Sequence, residues 1–152
     1  MRILTGLVLA IGVASLSAPL AIRFWPLDPV TYHAEPLSAA KLPGRRDWLV
    51  RPEGGDARAP DYPDGPVALL ERLSGHVLAQ HGCSRLAGTP QDSWMTFVCR
   101  SRIMGYPDLI SVRSFPTAGG SSLAIWSRAR FGNYDWGVNR VRVEGWLAAI
   151  AP

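Results

Sequence analysis

Trp126-Ser-Arg-Ala-Arg-Phe-Gly-Asn-Tyr-Asp-Trp-Gly-Val-Asn-Arg-Val-Arg142 reads as a strand that passes through a turn into a helix. Trp126, Arg128 and Arg130 alternate onto one face, Gly132-Asn133 supplies a bend, and from Asp135 onward the spacing becomes helical. The stretch collects four arginines, and Arg100-Ser-Arg-Ile-Met-Gly-Tyr-Pro-Asp108 repeats its outline, Ser-Arg followed by Gly-x-x-Asp. The second copy has one residue more between its halves.

Working outward, four strand-like runs are expected at Cys83 to Ala87, Ser93 to Ile103, Leu109 to Phe115 and Ser121 to Phe131. Gly88-Thr-Pro-Gln-Asp92, Gly105-Tyr-Pro-Asp108 and Pro116-Thr-Ala-Gly-Gly120 separate them. Connections this short imply an antiparallel meander. Alternation places Met95, Phe97, Cys99, Ile110, Val112, Leu123 and Ile125 on a core face. Trp94, Arg100, Arg102, Arg113, Trp126, Arg128 and Arg130 fall on an opposite, basic and aromatic face. A helix precedes the meander, opening at Asp64-Gly-Pro66, carrying Val67, Leu70, Leu73 and Val77 on one stripe and stopping at Gly82. A second helix, Trp136 to Ile150, follows it, with Asp135 as cap and Val143, Trp146, Leu147 and Ile150 as its stripe. The fold class is α+β: helix, four-stranded meander, helix, behind an N-terminal membrane helix.

The stripe of the last helix, continued backwards, turns Asn139 and Arg140 inward. Buried, both need carbonyl, carboxylate or anion partners. Cys83 and Cys99 lie eight positions on either side of Gln91, so a tight hairpin sets them opposite one another and permits a disulfide. Two reduced core cysteines, or a thiol nucleophile beside His81, are the other uses of the pair.

Ile3 to Ile22 is a run of twenty residues without a charge, between Arg2 and Arg23. That length spans a bilayer. Residues 1–25 are a signal anchor or a cleaved signal peptide, and Trp25 at the exit favours the anchor. Residues 26–65 form a proline-rich, extended, irregular segment: Pro26 to Pro66 carries eight of the thirteen prolines. Trp48-Leu-Val50, Tyr32 and Tyr62 are apolar enough for part of it to lie against the domain, residues 66–152. The expected location is the inner membrane with the domain facing the periplasm, or secretion after cleavage. Between Cys83 and Arg142, eight arginines face three aspartates. This imbalance suits an anionic small molecule or lipid head group rather than nucleic acid, which an exported chain seldom meets.

The two blocks, Arg100 to Asp108 and Ser127 to Arg142, resemble domain-of-unknown-function family 1499. Its pattern pairs a Ser-Arg-x-x-Gly-x-x-Asp-like strand and turn with Ser-Arg-x-x-x-Gly-x-x-Asp-x-Gly-x-Asn-x-x-Arg. The resemblance covers about Pro66 to Ile150, and it implies domain limits and which residues matter, not an activity. Leu27-Asp-Pro-Val-Thr-Tyr-His-Ala-Glu-Pro36 is similar to the approach segment of anchored members. Tyr134 departs from the small polar residue expected before Asp135, and leaves the carboxylate intact.

Three functions compete. Arg100, Arg102, Arg128, Arg130, Asp135, Asn139 and Arg140 would form an anion-binding junction at the N-terminus of the last helix. Alternatively these residues build an internal ion-pair lattice in an envelope protein-interaction module, whose Trp94 and Trp126 are then exposed. An enzyme using Asp108 and Asp135 as acid and base requires one raised carboxyl pKa, which neighbouring arginines oppose. Neither a metal-ligand cluster nor a glycine-rich phosphate loop is present in the sequence, and no cofactor is expected.

Overall fold

The computed structural model describes residues 21–44 and 46–152. Residues 3–20 of the expected membrane run lie outside the described residues, and among those described no helix is long and apolar enough to cross a membrane. In chain order the elements are α1 (Pro29–Tyr32), β1 (Asp47–Val50), α2 (Pro66–Leu78), β2 (Cys83–Thr89), a 3-10 turn (Pro90–Asp92), β3 (Trp94–Arg100), β4 (Pro107–Thr117), β5 (Gly120–Ala129) and α3 (Val138–Ala149). The five strands pair antiparallel with their neighbours, in the order β1-β5-β4-β3-β2. The meander is therefore as expected, but the sheet has five strands rather than four.

The added strand comes from the proline-rich segment. Asp47 pairs with Arg128 and Val50 with Ile125, so β1 closes what would otherwise be the free edge of β5. Leu49 and Val50 are fully buried, as is Tyr62, which bridges to Ser121. Four residues between prolines give too short a run to show alternation. Pairing with a strand some eighty positions away, not local propensity, makes them a strand.

The core face is the one that alternation assigns: Met95, Phe97, Cys99, Ile110, Val112, Leu123 and Ile125 share one cluster with α2 and α3. Helix α2 contributes Leu69, Leu70, Leu73 and Val77, while Val67 stays exposed at its first turn. Helix α3 contributes Val143 and Trp146, with Ile150 just past its end. Cys83 is in register with Cys99 and the two form a disulfide. The pairing shifts by one residue between Arg85 and Ala87, and Ser93 closes the hairpin in the left-handed region at φ 53°.

The opposite face is not open. Residues 22–44 lie across it as a strap. Arg128 donates to the Tyr32 carbonyl (2.8 Å), the His33 ring stacks on Trp94 (centroids 3.8 Å apart), and Trp126 donates Nε1–H to Asp47 Oδ2 (2.9 Å). Trp126 and Arg128 are buried in consequence and Trp94 is partly covered, which corrects the expectation of exposed indoles at 94 and 126.

Candidate functional site

The junction after β5 is built on backbone that ordinary side chains rarely adopt. Trp136 and Gly137 both have positive φ, 57° and 79°, so the helix starts at Val138 and not at Trp136. Asp135 caps it from two residues back. Oδ1 accepts from Gly137 N–H (3.0 Å), and Oδ2 accepts from Asn139 N–H (3.0 Å) and Asn139 Nδ2 (2.7 Å). Three N–H groups thus consume both carboxylate oxygens.

Asn139 is fully buried, as its place on the helical stripe requires. Its Nδ2 also reaches the Arg46 carbonyl (3.2 Å), and its Oδ1 accepts from Ser127 Oγ (2.5 Å) and Arg142 (2.8 Å). Arg142 extends its other nitrogen to Asp108 Oδ2 at 2.7 Å. Asp108 on β4 stands opposite Ala129 on β5. One network therefore ties both repeated turns, two strands, the residue before β1 and α3 together. Burial pushes the Asp108 carboxyl above its ordinary range, Arg142 opposes that shift, and the Asp135 charge adds to it.

Of the residues singled out by sequence, Asn139 and Asp135 meet here. Arg140 does not: its side chain is 59% exposed, pairs with Glu144 (2.8 Å) and lies over the Trp48 ring. Arg142 takes the inward place instead. With the stripe running Asn139, Val143, Trp146, Ile150, the position three residues after Asn139 shares its face, while the next residue is turned by a quarter of the helix. Asp108, which needs a cation once buried, is the other signal that pointed to it.

The remaining arginines are separated from this network by the sheet. Arg128 donates to Ser111 Oγ (3.1 Å) and Tyr32 O, with its guanidinium 4.1 Å from the Trp126 ring centroid. Burial lowers its pKa to about 10, against the attraction of Asp47, so it remains a cation at neutral pH. Arg130 lies against the Tyr32 and Phe131 rings. Arg100 donates to the carbonyls of Ile22, Gly105 and Trp25, and Arg102 is an exposed residue of the β3–β4 loop.

Three clefts converge on the junction. One of about 410 Å³ is lined by Tyr106, Asp108, Phe131, Tyr134 and Asp135. A second, of about 460 Å³, lies toward Lys41, Trp48 and Arg140, and a third, of about 550 Å³, toward His76, Gln80 and Trp146. Trp136 lines all three and is 86% exposed, with Tyr134 packed edge-on against it at 5.0 Å. Among the described residues, no three histidine, cysteine or carboxylate side chains are grouped as metal ligands.

No curated protein and no solved structure matches the chain. A family pattern does, over residues 53–150, a span that takes in α2, all four meander strands and α3 together with both repeated blocks. The chain belongs to the family described as proteins of unknown function, DUF1499.

Proposed function

We propose that this chain is a membrane-anchored extracytoplasmic domain that works by binding an envelope protein, and that its arginine/aspartate motif is the frame of the binding face. The carrying observation is Trp136. A non-glycine residue in the left-handed region costs about 1–2 kcal/mol, and this one also leaves its indole in water. Glycine would make the same turn without either cost, so packing does not account for tryptophan here. Tyr134, Val138 and Val141, all exposed, continue its apolar surface along the start of α3.

Commitment of the junction's groups to one another supports the structural reading of the motif over an anion site. The Arg142 guanidinium is bound to Asp108 and Asn139, and the Arg128 guanidinium to carbonyl and hydroxyl oxygens across the sheet. An enzymatic reading draws on Asp108 and Asp135 lining one cleft, with Asp108 raised by burial. Against it, Asp135 has three N–H donors on its two oxygens, and these hold the carboxylate as the cap of α3 and favour its ionised form over a proton-carrying one.

Anchoring rests on residues 3–22, and the disulfide suits an oxidising compartment. The test uses the full chain in its native membranes with a photo-crosslinking residue at 136 or at Gly119, on the β4–β5 turn. We expect a defined protein adduct from 136 alone, lost when Tyr134 is also changed to serine. Equal labelling from both positions refutes the binding face. Release of the chain by alkaline carbonate refutes the anchor.

A further inference from the structure

We infer that the β3–β4 loop, residues 101–106, is a second membrane contact that seats the domain on an anionic bilayer surface beside its anchor. The inference rests on the anchoring proposed above. The sequence places the end of the apolar run at Ile22, and the structure shows what stands next to that end. Residues 21–23 are helical, and Arg23 donates to the carbonyls of Arg102 (3.0 Å) and Ile103 (3.4 Å). Gly105, at φ 72°, packs so closely that a Cβ there would lie 2.9 Å from Arg23 Cβ and 3.0 Å from its Cα. From beneath, Arg100 holds Ile22 O, Trp25 O and Gly105 O at 3.3 Å each, which ties the exit segment and the loop into one unit. Trp25 and Tyr106 both pack on Phe131, with centroids 6.1 Å away.

That unit presents a surface with the composition of a bilayer interface. Ile103 is 87% exposed and Phe24 74%, with Trp25 and Tyr106 also exposed. Single exposed apolar residues are ordinary, but these four surround the point where the apolar run ends. Residues 22–25 and 101–106 contain Arg23 and Arg102 and no carboxylate. An exposed isoleucine, aromatic rings and arginines are the residue types that suit acyl chain, interface and phosphate depths in turn. Burial first, and then the Arg23 charge, disfavour the charged form of Arg100, and an anionic headgroup would relieve the second of these.

Because the two native cysteines are bonded to each other, a single added cysteine can be labelled alone. The test places a nitroxide at Ile103→Cys, and at Gly119→Cys on the turn at the far end of β4, in full-length chain reconstituted into phosphatidylglycerol/phosphatidylethanolamine vesicles. Collision with lipid-soluble oxygen is compared with collision with a water-soluble nickel chelate. Oxygen should dominate at 103 and nickel at 119, and Arg102→Glu should shift the 103 label toward nickel. A label at 103 as nickel-accessible as that at 119, in vesicles that keep the chain through a carbonate wash, overturns the loop contact while anchoring stands. Loss of the chain in that wash overturns anchoring itself. Equal oxygen contact in phosphatidylcholine vesicles overturns the anionic specificity.

Discussion

Replacing Asn139 with alanine removes four side-chain hydrogen bonds from a fully buried position. Two of them go to charged partners, Asp135 and Arg142, and such bonds contribute roughly 1.5–3 kcal/mol each. The lower end applies, because Asp135 keeps two backbone donors and Arg142 keeps Asp108. The Ser127 hydroxyl and the Arg46 carbonyl lose neutral partners at about 1 kcal/mol apiece. Alanine's better helix propensity returns roughly half a kcal/mol. The expected cost is about 3–5 kcal/mol, which for a chain of this length lowers Tm by about 10 °C or somewhat more. Urea titration followed by tryptophan fluorescence reads it directly, since Trp146 is in the core. Asn139→Asp sharpens the test by setting a second carboxylate at the 2.7 Å position beside Asp135. At neutral pH that variant should be at least as unstable as the alanine variant. The pair holds its shared proton more tightly folded than unfolded, so the deficit must shrink as pH falls through the raised value. A loss below about 1 kcal/mol for Asn139→Ala would refute the frame described here.

Arg142→Ala should cost about 2–4 kcal/mol by leaving Asp108 buried without its cation, whereas Arg140→Ala, at an exposed pair, should stay within about 0.5 kcal/mol; equal effects in thermal melts would contradict the assignment of the inward arginine. Replacing Cys83 and Cys99 together with serine should lower stability by roughly 3 kcal/mol, seen as a lower urea midpoint that reductant no longer affects. For Asp108, burial raises the folded pKa above the ordinary 3.8, so the folded state binds the extra proton between the two values. Its contribution is present below that ordinary value and is lost as pH rises through the folded one. The advantage of wild type over Asp108→Asn should therefore decline with rising pH, and an advantage that grows would show that the attraction of Arg142 outweighs burial. Gly105→Ala should detach the exit segment from the β3–β4 loop, detected as faster hydrogen exchange at residues 22–25 and 101–106 with the core unchanged.

Asp108 and Asp135 have the same repeated surroundings in the sequence, and the structure brings both into one network. Arg128 and Arg130 occur in the same block as Asn139, yet alternation had already put them on the face away from α3, and they remain there. Arg140 and Arg142 both lie within α3, and their places follow from its stripe: Arg142 is turned about 60° from Asn139, Arg140 about 100°. The start of the helix at Val138 follows from Trp136 and Gly137 being left-handed, which a glycine pattern suggests for Gly137 but not for tryptophan. The exposed indole lies at 136, beyond the strand residues that alternation could sort.

Legible along the chain are the meander, its two faces, the placing of Cys83 opposite Cys99 and the approximate extent of the final helix. All of these follow from periods of two or 3.6 residues and from short turns, which act between neighbours along the chain. Long-range contacts alone make Asp47–Val50 a strand, lay residues 22–44 over the basic face, bond Cys83 to Cys99 and set Arg142 rather than Arg140 against Asp108. Each of those depends on a partner 16 to about a hundred positions away, Arg128 for Asp47, Tyr32 for Arg128, Cys99 for Cys83, Asp108 for Arg142. A local pattern carries no record of which distant group will satisfy a buried charge or close a sheet edge.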